Sequence, residues 1–311
     1  TIYYLLSTIY YLLSTIYYSM TFQKSILPNG LRIISAPVPN NTTFTVLVLT
    51  ATGSKYEHKR INGISHFLEH MCFKGTARRP SAEAISKELD QIGGEFNAFT
   101  GKEYTGYYAK VRSQHADIAL DVVSDIFLHQ LLDPTEIERE KGVIIEEINL
   151  YRDTPTQHID DLFEELLYGD QPAGWPIAGT PELVQALKRE DFVSYIAAHY
   201  TAKNSLVIIA GDPTVVARLE PAIADAFHDI PQGAIGQKET VTEEQNTPAL
   251  KLQFKDTDQA HIALGVRGYN LFDPRRYVLA LLATVLGGGM SSRLFLAVRE
   301  RQGLAYYVRT T

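Results

Sequence analysis

The pentapeptide His66-Phe67-Leu68-Glu69-His70 constrains this 311-residue chain more than any other stretch of it. Read as a helix over 63–73, it puts His66 and His70 one turn apart on one face, with Glu69 between them, because successive residues step by about 100°. The opposite face carries Ile64, Phe67, Leu68 and Met71 at the spacing of an apolar stripe, so the helix can be pinned to a core on that side. Two imidazoles so placed can grip one zinc ion while a carboxylate reaches the water bound to it. On a merely solvated face the same residues would do nothing, so the question is whether a third ligand exists.

A second helix offers one. Asp133-Pro134-Thr135-Glu136 reads as a helix start, with an acidic cap, proline at the first position and acidic residues in the first turn. From there one face holds Ile137, Glu140, Val143, Ile144, Glu147, Ile148 and Tyr151, whereas Glu138 and Glu146 point away from it. Two carboxylates inside an apolar stripe are costly unless positive charge meets them. Either a metal held by the histidines or a buried ion pair would supply that charge.

With these residues in hand, the chain resembles a known family. His66-x-x-Glu69-His70, followed at long range by Glu147, is similar to the inverted zinc motif of the pitrilysin/insulinase-type (M16) metallopeptidases. The flanks Gly63-Ile64-Ser65 and Met71-Cys72-Phe73-Lys74-Gly75-Thr76 match as well. Gly93-Gly94-Glu95-Phe96-Asn97-Ala98-Phe99-Thr100, the Glu140 and Glu147 pair, Pro176-Ile177-Ala178-Gly179-Thr180-Pro181-Glu182 and Gly287-Gly288-Gly289-Met290-Ser291-Ser292-Arg293-Leu294 follow in the family order. The similarity runs from about Phe22 to the last residue, and the subgroup it most resembles is the mitochondrial-processing-peptidase-like bacterial enzymes.

The resemblance implies a zinc-dependent endopeptidase acting on short or unfolded polypeptides. One Zn²⁺ per chain would sit on His66, His70 and Glu147, Glu69 would be the general base, and Glu140 would stand behind the ligands to orient a histidine or balance the metal. Asn97 and Ala98 would meet the substrate backbone, on a strand whose edge can take up an extended peptide. Arg299 and Tyr306 would hold the substrate and stabilise the oxyanion from the second half. The implied partners are peptides and a second chain, as a homodimer or a pairing with a related M16 chain. The alternative is a non-catalytic partner subunit, because the family pairs metal-bearing chains with degenerate ones.

The net charge of −7 and a pI near 5.7 lack the basic stripe of a nucleic-acid binder and suit attraction of basic peptides. The single cysteine, Cys72, permits no internal disulfide and lies about 160° around the helix from His70, so it reads as a packed residue rather than a ligand. At the N-terminus Thr-Ile-Tyr-Tyr-Leu-Leu-Ser occurs twice and begins a third time, with no charge before Lys24. That length could span a membrane, yet it has no basic leader region or small-residue cleavage site. The repeat reads as translated tandem-repeat DNA. The expected location is cytoplasmic, with membrane attachment left open by the repeat.

The expected fold class is α+β, with two homologous halves, each a mainly antiparallel sheet packed by helices, and the second half truncated. Residues 1–19 form the uncharged repeat, 20–230 the metal-bearing domain, 231–248 a polar linker and 249–311 the start of a metal-free domain. Strands are expected over 24–34, 43–52, 94–100, 104–111 and 205–210, and helices over 63–73, 82–92, 115–130, 134–152, 157–168, 181–200 and 213–227. The segment 261–266 should form a strand leading to a helix over 276–286, in outline repeating the way the first half opens.

Overall fold

Alternation of larger apolar and smaller or polar residues builds the sheet. The computed structural model describes residues 22–310, so the repeat at 1–19 lies outside the described residues. β1 (Gln23–Ile26) and β2 (Arg32–Pro37) pair antiparallel across the turn at Pro28-Asn29-Gly30, where Gly30 takes a φ of +93°. β3 (Thr43–Thr50), β4 (Glu95–Thr100), β5 (Thr105–Arg112) and β6 (Ser205–Gly211) complete a six-stranded sheet in the order β1-β2-β6-β3-β5-β4. Its pairings are antiparallel except β2 with β6. One face is a continuous apolar layer: Phe44, Val46 and Val48 of β3 stand in register with Val111, Ala109 and Tyr107 of β5, and Val207 and Ile209 of β6 extend the row.

The helices of this unit are α1 (Ile64–Cys72), α2 (Ala82–Asp90), α3 (Ala116–Leu128), α4 (Pro134–Asp153), α5 (Pro155–Tyr168), α6 (Pro181–Ala186), α7 (Arg189–His199) and α8 (Pro213–Ala226). α3 lies on β3 and β5, α8 on β2 and β6, and α1 on β4 and β5 with α4 and α7 beside it. Ile64, Phe67, Leu68 and Met71 are all buried, so the apolar face of α1 is the one that meets the core. Cys72 is packed in the same layer, its Sγ 3.5 Å from the Tyr107 hydroxyl, and burial pushes its thiol up to about 12. The fold is α+β, a mostly antiparallel sheet with helices on its apolar face.

Two segments differ from expectation for local reasons. The helix expected over 181–200 is two helices, because Leu187 turns to an extended backbone (ψ 138°) and buries its side chain. The Asp191 carboxylate then accepts the Lys188 N–H at 3.0 Å and starts α7 afresh. Residues 231–248 carry no helix or strand, yet they are tied down: Gly236 N–H donates to Asn204 Oδ1 and Thr242 N–H to Gln171 Oε1, each at 2.9 Å.

The chain divides into two compact units, the second beginning at Ile262. That unit holds α9 (Arg276–Gly287) and a π-helical stretch, Phe295–Arg301. The strand expected over 261–266 is absent: no described residue pairs with it, and Ile262, Leu264 and Val266 are exposed. A strand is defined by its ladder, and an apolar run without a pairing neighbour does not form one.

A buried ion cluster ties the segment after α1 to α3. Thr76 Oγ1 and Arg79 Nη1 both donate to Asp125 Oδ2 at 2.7 Å, while Arg79 also reaches Glu88 and Asp121. Replacing Asp125 by Asn should cost about 3 kcal/mol in urea unfolding at neutral pH, because it leaves a buried guanidinium short of charge. Burial pushes the Asp125 carboxyl up, but its hydrogen bonds with Thr76 and Arg79 outweigh that and hold it below the ordinary 3.8. Its contribution is therefore complete above about pH 4 and lost as the pH falls through the folded value. Wild-type and Asp125→Asn stabilities should converge only in stronger acid; convergence already at pH 6 would contradict this.

Candidate metal centre

α1 and α4 bring the polar residues together. The His66 and His70 rings pack edge to face with centroids 4.8 Å apart. Glu147 of α4 faces them, its Oε2 lying 3.7 Å from His66 Nε2 and 3.4 Å from His70 Nε2. One donor atom from each of the three falls within 4.8 Å of the other two. Ligand atoms about 2.0–2.2 Å from a tetrahedral zinc stand about 3.3–3.6 Å from one another, so this set fits such an ion with small side-chain adjustments.

The phase of α4 explains why Glu147 is the carboxylate in reach. Ile137, Glu140, Lys141, Ile144 and Ile148 are its buried residues, Glu147 is half-buried beside them, and Glu146 is exposed. Val143 and Tyr151, expected in the buried stripe, are exposed at its flank, while the hydroxyl of Tyr151 interacts with Glu147. Glu140, two turns before Glu147, is almost completely buried. His70 Nδ1 donates to its Oε1 at 2.8 Å. A carboxylate can only accept that bond, so Nδ1 carries a hydrogen and Nε2 is the nitrogen that faces Glu147. Lys74, one turn beyond His70, places Nζ 2.5 Å from Glu140 Oε2.

The electrostatics ask for positive charge at one point. Burial works against a charged His70, yet its hydrogen bonds to Glu140 and Glu147 outweigh burial and raise it to about 9. Burial, reinforced by the neighbouring His70, lowers His66 to about 4, so His66 is a neutral, lone-pair-bearing imidazole at neutral pH. Two carboxylates around one imidazole call for a cation, and a divalent metal on the three donor atoms satisfies that demand as a proton on Nε2 does. The donor set, two imidazoles and one carboxylate, is of the kind zinc takes in hydrolytic sites.

Glu69 lies next to this cluster without belonging to it. Burial raises its carboxyl, opposed by Thr100, whose Oγ1 donates to Oε2 at 2.5 Å. Thr100 ends β4, and the strand alternation puts it with Phe96 and Ala98 on the face toward α1. Asn97 points to the other face, with its Oδ1 accepting the Ala98 N–H, so Asn97 and Ala98 share a backbone edge rather than a side-chain site. β4 is the last strand of the sheet. Arg299 and Tyr306 belong to the second unit, where the guanidinium stands 5.1 Å over the tyrosine ring and Tyr306 is exposed.

Sequence reasoning gave no role to Lys74 or Thr100. Lys74 follows His70 by one helical turn, a spacing that could have flagged it as a partner for the same carboxylate. Thr100 contacts Glu69 only through the sheet, and no local pattern announces that.

Comparison with known proteins fits this geometry. The profile of the insulinase family (peptidase family M16) matches residues 32–181, and one described as the peptidase M16 inactive domain matches 186–311. An uncharacterized zinc protease of Bacillus subtilis, YmxG, is 42% identical over 286 residues, covering 90% of this chain and 67% of that protein. Another from Streptomyces coelicolor, SCO5738, is 38% identical over 93% of this chain and 64% of its own length. The chain thus spans about two thirds of the length of these relatives. A peptidase M16 inactive domain from Pseudomonas fluorescens superposes with a TM-score of 0.80 at 19% identity, over 93% of this chain and 70% of that one. A protease from Helicobacter pylori does so at 0.76 and 24%, with the same coverage. At such identities these two structures speak to the fold.

The helix phases lead to a specific expectation for metal titration. Glu147→Gln and His70→Ala should each abolish zinc binding measured by calorimetry, while Glu146→Gln, about 100° away around α4, should keep it. Zinc lost from Glu146→Gln and retained by Glu147→Gln would contradict the assignment.

Proposed function

The chain belongs to the insulinase family of peptidases, family M16, and from that premise we propose that it is a zinc-dependent endopeptidase, with His66, His70 and Glu147 as metal ligands and Glu69 as general base. The observation that carries this reading is the convergence of three donor atoms from two helices, with a fourth, separately held carboxylate beside them. Bound zinc would supply a Lewis acid that brings the pKa of a water toward neutrality.

The remaining work falls to this chain's own residues. Glu69 would take the water's proton on its carboxylate and deliver it to the leaving amine. The Thr100 hydroxyl fixes Oε2, which leaves Oε1 for that proton. His70 keeps Nε2 pointed inward because Nδ1 is committed to Glu140, and Lys74 keeps Glu140 ionised and in place. The outer edge of β4 would hold an extended peptide by backbone hydrogen bonds, past Asn97 and Ala98. For Arg299 and Tyr306 the proposed roles are holding substrate and stabilising the oxyanion. The net charge of −7 favours basic peptides in short or unfolded polypeptides. Among the described residues no helix is long and apolar enough to cross a membrane.

Glu69→Gln should keep zinc and lose peptide hydrolysis by about 10²–10⁴-fold, because the amide has the shape of the acid but cannot accept the proton. Thr100→Val should lower kcat about tenfold with zinc content unchanged, and Thr100→Ser should restore it. Near-normal turnover by a zinc-loaded Glu69→Gln enzyme would remove Glu69 from the mechanism. A wild-type chain with no affinity for zinc would instead make it a non-catalytic partner subunit.

A further inference from the structure

Glu57 is only 2% exposed, and three N–H groups donate to it. Oε2 accepts from the Gly63 backbone at 2.8 Å and from Asn62 Nδ2 at 2.9 Å, and Oε1 accepts from the Ser65 backbone at 2.9 Å. Gly63 caps α1 and Ser65 lies in its first turn, so Glu57 satisfies amides that have no partner inside the helix. Ser65 is gripped from the other side as well: its Oγ lies 2.7 Å from the Tyr195 hydroxyl, which also pairs with Thr52. Asn62 uses its amide a second time, donating to the Pro176 carbonyl at 3.0 Å.

The backbone packing at this point is equally tight. Gly63 has φ +98° and Gly179 φ +74°. A Cβ on Gly63 would come within 2.6 Å of the Ala178 carbonyl oxygen, and one on Gly179 within 2.4 Å of the Asn62 carbonyl oxygen. The two loops lie backbone against backbone, and only glycine permits it.

His66, one residue after Ser65, depends on this arrangement more than His70 does. His70 has its own anchor in Glu140, whereas the buried His66 Nδ1 has no hydrogen-bond partner among the described residues. Its imidazole is placed by the backbone that carries it. We propose that Glu57 is a positioning residue for the metal centre: with Asn62 it locks the first turn of α1 against residues 176–179 and so sets His66 relative to His70 and Glu147. This rests on the reading of those three residues as metal ligands.

The test is zinc affinity by chelator competition, with thermal unfolding in parallel. Even Glu57→Gln should break the lock, since both oxygens already accept and the new NH₂ must face an N–H whichever way it turns. It should weaken zinc about 10–100-fold. Gly179→Ala should do the same from the opposite loop while leaving the carboxylate in place, which keeps the test open should Glu57→Gln fail to fold. Ile223→Ala, in the buried face of α8, should lower the melting temperature without changing zinc affinity. Wild-type zinc affinity in both Glu57→Gln and Gly179→Ala, or an equal loss in Ile223→Ala, would overturn the proposal. Amide hydrogen exchange separates this from the metal reading, because it needs no ion. Even if the wild type bound no zinc, exchange in Glu57→Gln should quicken at 63–66 and 177–179, and unchanged exchange there would overturn the lock.

Discussion

The 2.8 Å hydrogen bond from His70 Nδ1 to Glu140 joins the two helices on which the whole site is built. It puts a hydrogen on Nδ1, and it fixes the rotation of α4 against α1. Two turns along α4, Glu147 then comes to the opposite nitrogen of the same ring, 3.4 Å from Nε2. His70 is thereby bracketed by two carboxylates, and the pair holds its ring near a charged state, at about 9. A buried carboxylate such as Glu140 is costly without compensation, and here Lys74 meets one of its oxygens and the His70 ring the other.

The rest of the first unit keeps those helices in place. α1 is seated by Ile64, Phe67, Leu68 and Met71 on the apolar layer, and Cys72 reaches Tyr107 within it. Its beginning is held by Glu57 and its following loop by the Thr76–Asp125 contact. The sheet adds the edge strand β4, from which Thr100 meets Glu69. His66, Glu69, His70 and Glu147 therefore sit on helices and Thr100 on a strand, rather than on loops.

Periodicity made the helices legible. The apolar stripe of α1 and the phase of α4, with Glu140 buried, Glu147 half-buried and Glu146 exposed, follow from spacing alone. What spacing missed were effects set by neighbours. Val143 fits the stripe but lies at its flank, and Lys141, off the stripe by hydropathy, is buried with its ammonium turned back to Glu138. The break at Leu187 comes from an Asp191 cap inside a run that reads as continuous helix. The insertion of β6 between β2 and β3 joins residues far apart in the chain, which no local pattern encodes. For the same reason Thr100 and Glu57 were invisible: each matters through a partner brought to it by the tertiary fold.

X-ray absorption at the zinc edge of the loaded protein tests the central claim most directly. The account requires two imidazole nitrogens and a carboxylate oxygen at about 2.0–2.2 Å. A sulfur ligand at about 2.3 Å, or a shell of oxygens alone, would contradict it.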